Sequence, residues 1–177
     1  MLDLFADTPP WQEPLAPGAI ILRRYARERA PALLQAISEI ACRSPFRQMV
    51  TPGGYTMSVA MTNCGELGWT TNQHGYLYAA DDPLTGKRWP QMPPLFRELA
   101  AEAAAASGYA RFTPDACLIN RYQPGTKLSL HQDKDEQNLR APIVSVSLGL
   151  PAIFQFGGLR RNDPLQRVLL EHGDVVV

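Results

Sequence analysis

The strongest constraint on the fold lies in the C-terminal two-fifths of the chain, where short apolar runs alternate with turn residues and helical periodicity is absent. This pattern is typical of successive β-strands. Six strands are predicted there: Ala116–Tyr122, Lys127–His131, Ile143–Leu150, Ile153–Phe156, Gln166–Glu171 and one from Asp174 onward. The turns between them contain Pro-Gly, Asn-Asp-Pro and His-Gly-Asp, and they favour an antiparallel sandwich or jelly roll.

The N-terminal part adds two helices to this β-rich pattern. Apolar residues recur at helical spacing from Pro31 to just before Pro45. A second helix, rich in alanine, is predicted from Pro94 to Ser107, with Gly108 as its C-terminal cap. Two further strands are predicted at Ala19–Tyr25 and Tyr55–Thr62. The sequence therefore predicts a mostly β chain with flanking helices.

Composition limits the kinds of protein that this chain can be. Its 177 residues include 17 Lys+Arg and 17 Asp+Glu, and 45% are hydrophobic, which predicts a single domain over 1–177 with an ordinary core. A net charge of zero argues against nucleic-acid binding by bulk electrostatics, so any partner is expected to be held by a defined site.

Cellular context is inferred from three sequence features. Cys42, Cys64 and Cys117 form no close pair, which argues against a disulfide framework and favours a reducing cytoplasm. The N-terminus is acidic and does not resemble a signal peptide. The uncharged stretch 141–159 is interrupted by proline and glycine, so buried sheet is predicted there and no membrane association is expected.

His131 and Asp133 are the first candidates for chemistry. Residues i and i+2 of a strand face the same way, so this pair can present an imidazole nitrogen and a carboxylate oxygen to one point. That donor set suits Fe(II). A His-x-Asp pair alone is weak support for a metal site, because most such pairs are surface residues.

A longer pattern contains this pair: Asn120-x-Tyr122-x-x-Gly125-x-x-Leu128-x-x-His131-x-Asp133. It resembles the AlkB family of Fe(II)- and 2-oxoglutarate-dependent dioxygenases. The similarity to the bacterial DNA-repair members extends over essentially the whole chain, through segments 44–47, 59–63, 68–70, 114–122 and 141–147.

The resemblance implies a double-stranded β-helix in which His131 and Asp133 are two of three iron ligands. Asn120 and Tyr122 would hydrogen-bond 2-oxoglutarate. The residues implied to pack around that co-substrate are Leu118, Ile143 and Ser145. The implied reaction uses O₂ to hydroxylate an N-methyl group, and it releases formaldehyde, succinate and CO₂.

The implied substrates are 1-methyladenine and 3-methylcytosine in DNA, preferably single-stranded or flipped out, with RNA as an alternative polymer. Trp69 would stack the base against His131, Tyr76 would touch the adjoining phosphate, Asp135 the base edge, and Arg161 the nucleotide. A lid over about 45–80 would include Thr51, Tyr55, Met57, Ser58 and Met61. Phosphate contacts are expected from Lys127, Gln132, Lys134, Arg140, Arg160, Arg161 and Arg167. Tryptophans are, however, often core, and scattered charges are often a solvated face.

The sequence departs from its family by lacking a second histidine ligand and an arginine that pairs with 2-oxoglutarate. In relatives both lie past the point matching Val177, so the jelly-roll core over about 115–177 is expected to be incomplete, with an unpaired apolar edge from Asp174. His74 and His172 are expected to be structural or surface residues. Three alternatives follow: a cytoplasmic, monomeric demethylase, a catalytically inactive truncated nucleic-acid-binding module, or a dioxygenase acting on a protein or lipid. A polypeptide ending at Val177 is expected to show no 2-oxoglutarate turnover.

Overall fold

The computed structural model describes residues 9–72, 74–133, 136, 138–160 and 162–177, without the side chain of Asn72. Within these residues the chain forms two helices, α1 (Ala30–Arg43) and α2 (Pro94–Ala106). The described strands are β1 (Trp11–Ala16), β2 (Ala19–Arg23), β3 (Arg47–Val50), β4 (Thr56–Gly65), β5 (Gly68–Asn72), β6 (Gly75–Ala79), β7 (Ala116–Arg121), β8 (Ser145–Val146), β9 (Ala152–Phe156), β10 (Gln166–Leu170) and β11 (Val175–Val176).

The chain divides into two compact units, of which the first contains residues up to 31, 99–112 and 141–177. Its main sheet has the strand order β1-β2-β11-β8, with antiparallel neighbours throughout, and β9 and β10 form a separate antiparallel pair. The apolar core of this unit is formed by Leu15, Ile21, Val168, Leu170 and Val176.

Strand β11 is internal to this sheet. Val175 pairs with Leu22 of β2 on one side and with Val146 of β8 on the other, and it is fully buried. Asp174 accepts a hydrogen bond of 2.6 Å from Arg23 just before the strand begins. The expectation of an unpaired apolar edge from Asp174 was therefore wrong, because two neighbouring strands cover these valines.

The second unit contains residues 32–98 and 113–140. Its three-stranded sheet has β4 at the centre, between β3 and β7, and β5 and β6 form a hairpin of their own. Side chains alternate along β4, so Val59 and Met61 pack into one apolar cluster with Met49, whereas Cys64 packs into a second cluster with Ile119. The sheet is thus apolar on both faces.

Both predicted helices are present with nearly the predicted bounds. Leu33 and Ile40 lie seven residues apart on α1 and are buried, as their helical spacing indicates. Helix α2 ends in a Schellman motif: Gly108, with a φ of +91°, donates to Ala105, and Tyr109 donates to Ala104 at 2.8 Å. Neither helix in the described part of the chain combines the length and the apolar run that a membrane crossing requires.

Two predicted strands differ from the structure. Residues 127–131 form no regular strand, because Lys127 exchanges hydrogen bonds with the Ser58 hydroxyl instead of with a neighbouring backbone. The strand predicted over 143–150 is reduced to Ser145–Val146, since its ladder partner β11 is itself only two residues long. The mostly β architecture with flanking helices is confirmed.

Candidate active site

His131 and Asp133 point at each other although they do not lie in a strand. The Nε2 atom of His131 is 3.4 Å from Oδ1 of Asp133, and both side chains are about half exposed, at 58% and 51%. The Nδ1 atom of His131 is 2.6 Å from the carbonyl oxygen of Ser129. A carbonyl only accepts, so this contact assigns a proton to Nδ1 and leaves the Nε2 lone pair of the neutral ring facing a carboxylate.

This arrangement suits a cation. Two acceptors at that distance repel each other unless a proton or a metal ion lies between them. Two ligands at right angles, each about 2.1 Å from one ion, would be about 3 Å apart, close to the observed spacing. Among the described residues, His131 and Asp133 are not joined by a third His, Cys, Asp or Glu in a metal-binding group. His172 instead accepts a hydrogen bond of 2.9 Å from the Gly149 amide.

The β5-β6 hairpin provides an aromatic pair in the same unit. The rings of Trp69 and Tyr76 stack with centroids 5.2 Å apart and an interplanar angle of 14°. Trp69 is half-buried, and it packs against the apolar cluster of Met49, Val59 and Met61 together with Met57, Leu118 and Leu128. The indole therefore rests on one face of the central sheet, while Tyr76 is exposed.

Strand register places two of the predicted co-substrate residues on that same face. Directly opposed residues of antiparallel strands point to the same side of the sheet. Met61 is opposite Asn120, and Asn63 is opposite Leu118, so Leu118 and Asn120 share the face on which Trp69 lies. Leu128, three residues before His131, packs against the same cluster. The structure thus brings the aromatic pair, two predicted 2-oxoglutarate residues and the segment leading to His131 to one face.

Tyr122 and the predicted lid residues occupy varied positions. Tyr122 follows β7 and is half exposed, and partial burial raises the pKa of its hydroxyl.

Thr51 and Tyr55 close the turn between β3 and β4, where the Tyr55 amide donates to Oγ1 of Thr51 at 3.1 Å and the Tyr55 ring is exposed. Ser58 bonds Lys127, whereas Met61 is buried in the core, with 1% exposure. Met61 is therefore part of the apolar cluster against which Trp69 packs.

Seven further predicted site residues fall within the described part of the chain, and all seven are exposed. Ile143 and Ser145 belong to the first unit, where both are exposed. Four candidates for phosphate contact are exposed in the structure, as is Gln132: Lys127, Arg140, Arg160 and Arg167. Lys134, Asp135 and Arg161 lie outside the described residues.

Sequence reasoning missed two polar contacts near the site. The Tyr78 hydroxyl donates to Glu136 at 2.6 Å, which ties β6 to the segment after Asp133. Burial, and then the bond to Glu136, raise the pKa of Tyr78 well above its usual range. Asn63 bonds the backbone of Trp69. The signal for Asn63 was present, because asparagine is depleted in strands and a buried amide needs partners.

Comparison with known proteins identifies the family of this chain. Residues 18–177 match the family model described as the 2OG-Fe(II) oxygenase superfamily. Over all 177 residues the chain is 73% identical to the alpha-ketoglutarate-dependent dioxygenase AlkB of Escherichia coli K12 and 72% identical to that of Salmonella typhimurium LT2, covering 82% of each protein. It is 30% identical to the human nucleic acid dioxygenase ALKBH1 over 113 residues, 63% of this chain and 28% of that protein.

A solved structure supports the fold independently. The structure of OsALKBH1 aligns with a TM-score of 0.82 at 29% sequence identity, and the alignment covers 94% of this chain and 81% of that chain. The chain therefore belongs to the 2OG-Fe(II) oxygenase superfamily and, within it, to the AlkB family. It is an Fe(II)- and 2-oxoglutarate-dependent dioxygenase with the jelly-roll fold of that superfamily, which confirms the sequence-based expectations of fold, enzyme class and cofactors.

Proposed function

We propose that this dioxygenase removes methyl groups oxidatively from N-alkylated bases, 1-methyladenine and 3-methylcytosine, in DNA. Single-stranded DNA is the preferred polymer, and RNA is a second possible substrate class. The observation that supports this most directly is the stacked Trp69–Tyr76 pair, which lies on the sheet face shared by Leu118 and Asn120. An aromatic surface beside co-substrate residues suits a planar base.

His131 and Asp133 are proposed to hold the ferrous ion, because their facing donors fit two positions of one coordination sphere. Bound iron and 2-oxoglutarate supply the oxidation of the methyl carbon by O₂, with formaldehyde, succinate and CO₂ as products. The Ser129 carbonyl orients the imidazole and fixes its tautomer. Asn120 and Tyr122 would hydrogen-bond 2-oxoglutarate, and Leu118, Ile143 and Ser145 would exclude water around it.

The proposed base site explains how an electroneutral protein acts on nucleic acid. A base outside the helix has lost its stacking partners, and an aromatic face restores roughly 1–3 kcal/mol per base. Trp69 supplies that face, and Tyr76 and the proposed Asp135 and Arg161 contacts would orient the nucleotide. The name of the human relative, nucleic acid dioxygenase, supports this substrate class.

We propose that the protein contacts the nucleic acid through a few separate groups, a lid over the base and side chains that meet the phosphates. The turn 51–55 and the first part of β4, with Met57 and Ser58, would form a lid over the base. Exposed positive side chains at 127, 140, 160 and 167, together with Gln132 and the proposed Lys134, would meet the phosphates. We propose a monomeric, cytoplasmic enzyme, since the free cysteines suit a reducing compartment.

The direct test incubates the natural full-length protein with Fe(II), 2-oxoglutarate and an oligonucleotide containing 1-methyladenine or 3-methylcytosine. Mass spectrometry should show a loss of about 14 Da, one CH₂, with matching formaldehyde and succinate. A trimethyl-lysine peptide should be unchanged, and His131→Ala should abolish the loss. Consumption of the peptide in place of the oligonucleotides would overturn the substrate proposal.

The inactive-module alternative is separated by adding a binding measurement. Tighter binding of the methylated than of the unmodified oligonucleotide, without mass loss or succinate, would show a base-binding module without turnover. Equal binding of both oligonucleotides, again without mass loss, would contradict recognition of the methylated base altogether.

A further inference from the structure

We propose that Asn63 is a positioning residue that sets the Trp69 ring for an incoming base. This inference rests on the proposed base-stacking role of Trp69. Asn63 lies near the C-terminal end of the central strand β4 and is completely buried, with 0% exposure. Its side chain is therefore held on all sides by protein.

The carboxamide of Asn63 makes two hydrogen bonds with one residue. Its Nδ2 donates to the carbonyl oxygen of Trp69 at 2.9 Å, and its Oδ1 accepts from the Trp69 amide at 3.0 Å. The two backbone groups fix the orientation of the amide, because each needs the complementary atom. Swapping Nδ2 and Oδ1 would place donor against donor and acceptor against acceptor.

These bonds occupy the free edge of β5. Along a strand, the N–H and C=O of one residue point to the same edge. Trp69 directs both groups to Asn63, so they face away from its hairpin partner Tyr78. A single side chain thereby supplies the pairing that a neighbouring strand would otherwise give, and it does so at the residue whose ring is proposed to stack on the base.

Gly68 permits the close approach that these bonds require. A Cβ atom added at residue 68 would lie 2.9 Å from Cβ of Asn63 and would collide with the ring of Trp89 on its other side. The backbone entering Trp69 is thus held between a buried tryptophan and the Asn63 side chain. The apolar cluster packs against the indole, so both the backbone and the ring of Trp69 are held in place.

The test measures preference for a methylated base, which a purely structural residue would not change. Fluorescence anisotropy gives the affinities of the full chain for two labelled single strands that differ only in one 1-methyladenine. We expect Trp69→Ala to remove most of the preference. Asn63→Ala should lower the preference by roughly fivefold or more while leaving affinity for the unmodified strand nearly unchanged.

Thr62 supplies the matched control. It is the adjacent residue of β4, is buried and points to the opposite face, where its hydroxyl donates to the Ser44 carbonyl at 2.7 Å. Thr62→Ala removes a comparable buried hydrogen bond and should lower the thermal midpoint without changing the preference. Asn63→Ser, which keeps a smaller polar group, provides a second variant if Asn63→Ala does not fold.

A double variant tests whether Asn63 acts through the ring. In the Trp69→Ala background, Asn63→Ala should cause no further loss of preference, since the ring that it positions is gone. An Asn63 variant that folds and keeps the wild-type preference, while Trp69→Ala loses it, would overturn this inference but not the proposed function. A wild-type preference in Trp69→Ala itself would contradict both.

Discussion

The ring of Trp89 fills the space where a side chain at residue 68 would stand, so Gly68 is the residue that lets the β5-β6 hairpin reach the central strand. The Trp89 Nε1 atom donates to the Ala79 carbonyl at 2.9 Å, which holds the buried indole against the last residue of β6. Gly68 and Trp89 together determine how closely the hairpin packs.

Gly68→Ala is predicted to destabilise the protein by about 2 kcal/mol, because the added methyl group must displace a buried ring. Urea unfolding followed by circular dichroism measures this difference. Gly53→Ala is the control: an added Cβ there meets the Tyr55 ring at 3.6 Å and Oγ1 of Thr51 at 3.9 Å, both ordinary contact distances, and the change should stay within about 0.5 kcal/mol. Equal effects of the two substitutions would contradict the packing argument.

The second prediction concerns acid stability and the pair formed by Arg47 and Asp82. Two hydrogen bonds of 2.6 and 2.7 Å join the guanidinium to the carboxylate of Asp82, which is almost completely buried. Burial alone would raise the pKa of Asp82, but hydrogen bonds from Arg47 and the Leu84 amide, and the charge of Arg47, together lower it.

Because the folded pKa is below the unfolded value of about 3.9, the pair contributes its full stability above that pH and loses it as the pH falls through the folded pKa. Asp82→Asn should therefore cost about 2 kcal/mol at pH 7 and progressively less below about pH 4. Asp81→Asn is the control, since its partner Arg88 is largely exposed and the expected change is under about 1 kcal/mol. A pH-independent deficit in Asp82→Asn would refute the linkage.

Metal affinity provides the third prediction. Titration calorimetry with Mn(II) and 2-oxoglutarate should show at least about a tenfold loss of affinity in His131→Ala and in Asp133→Ala. His172→Ala removes a histidine that bonds the Gly149 amide in the first unit, and it should leave the titration unchanged. Unaltered Mn(II) affinity in both site variants would remove these residues from the ligand set.

The fourth prediction concerns the tie between Tyr78 and Glu136. Tyr78→Phe removes a hydrogen bond of 2.6 Å and is expected to cost about 1 kcal/mol. Hydrogen exchange of residues 128–133 should accelerate, because the anchor that Glu136 provides to β6 is gone. Tyr109→Phe breaks the 2.8 Å bond to the Gly18 carbonyl in the first unit. It should destabilise to a similar degree without altering that exchange, and equal exchange in both variants would contradict the anchoring role.

The helices were predicted well from local sequence, because helix ends and buried helix faces depend on residues that are close together in the chain. Gly108 adopts the left-handed conformation that ends α2, and the spacing of Leu33 and Ile40 matches the buried side of α1. The convergence of His131 and Asp133 was also predicted, although for an incorrect reason. Their segment is not a strand, and the Ser129 carbonyl rather than a β ladder orients the imidazole.

Tertiary contacts determined what local rules missed. Nothing near residue 127 indicates that its backbone bonds Ser58, which is 69 positions away in sequence. The short strand β3 pairs with β4, and β5 and β6 pair with each other. Asn63 is a similar case. A buried carboxamide needs hydrogen-bond partners, but only the folded chain shows that these partners are the backbone groups of Trp69.

The phenol of Tyr76 already covers one side of the Trp69 indole. While the two rings stay stacked, that side of the indole is closed to a second flat ring. If Trp69 stacks on a base as proposed, Tyr76 therefore restricts the base to the part of the indole that the phenol leaves uncovered.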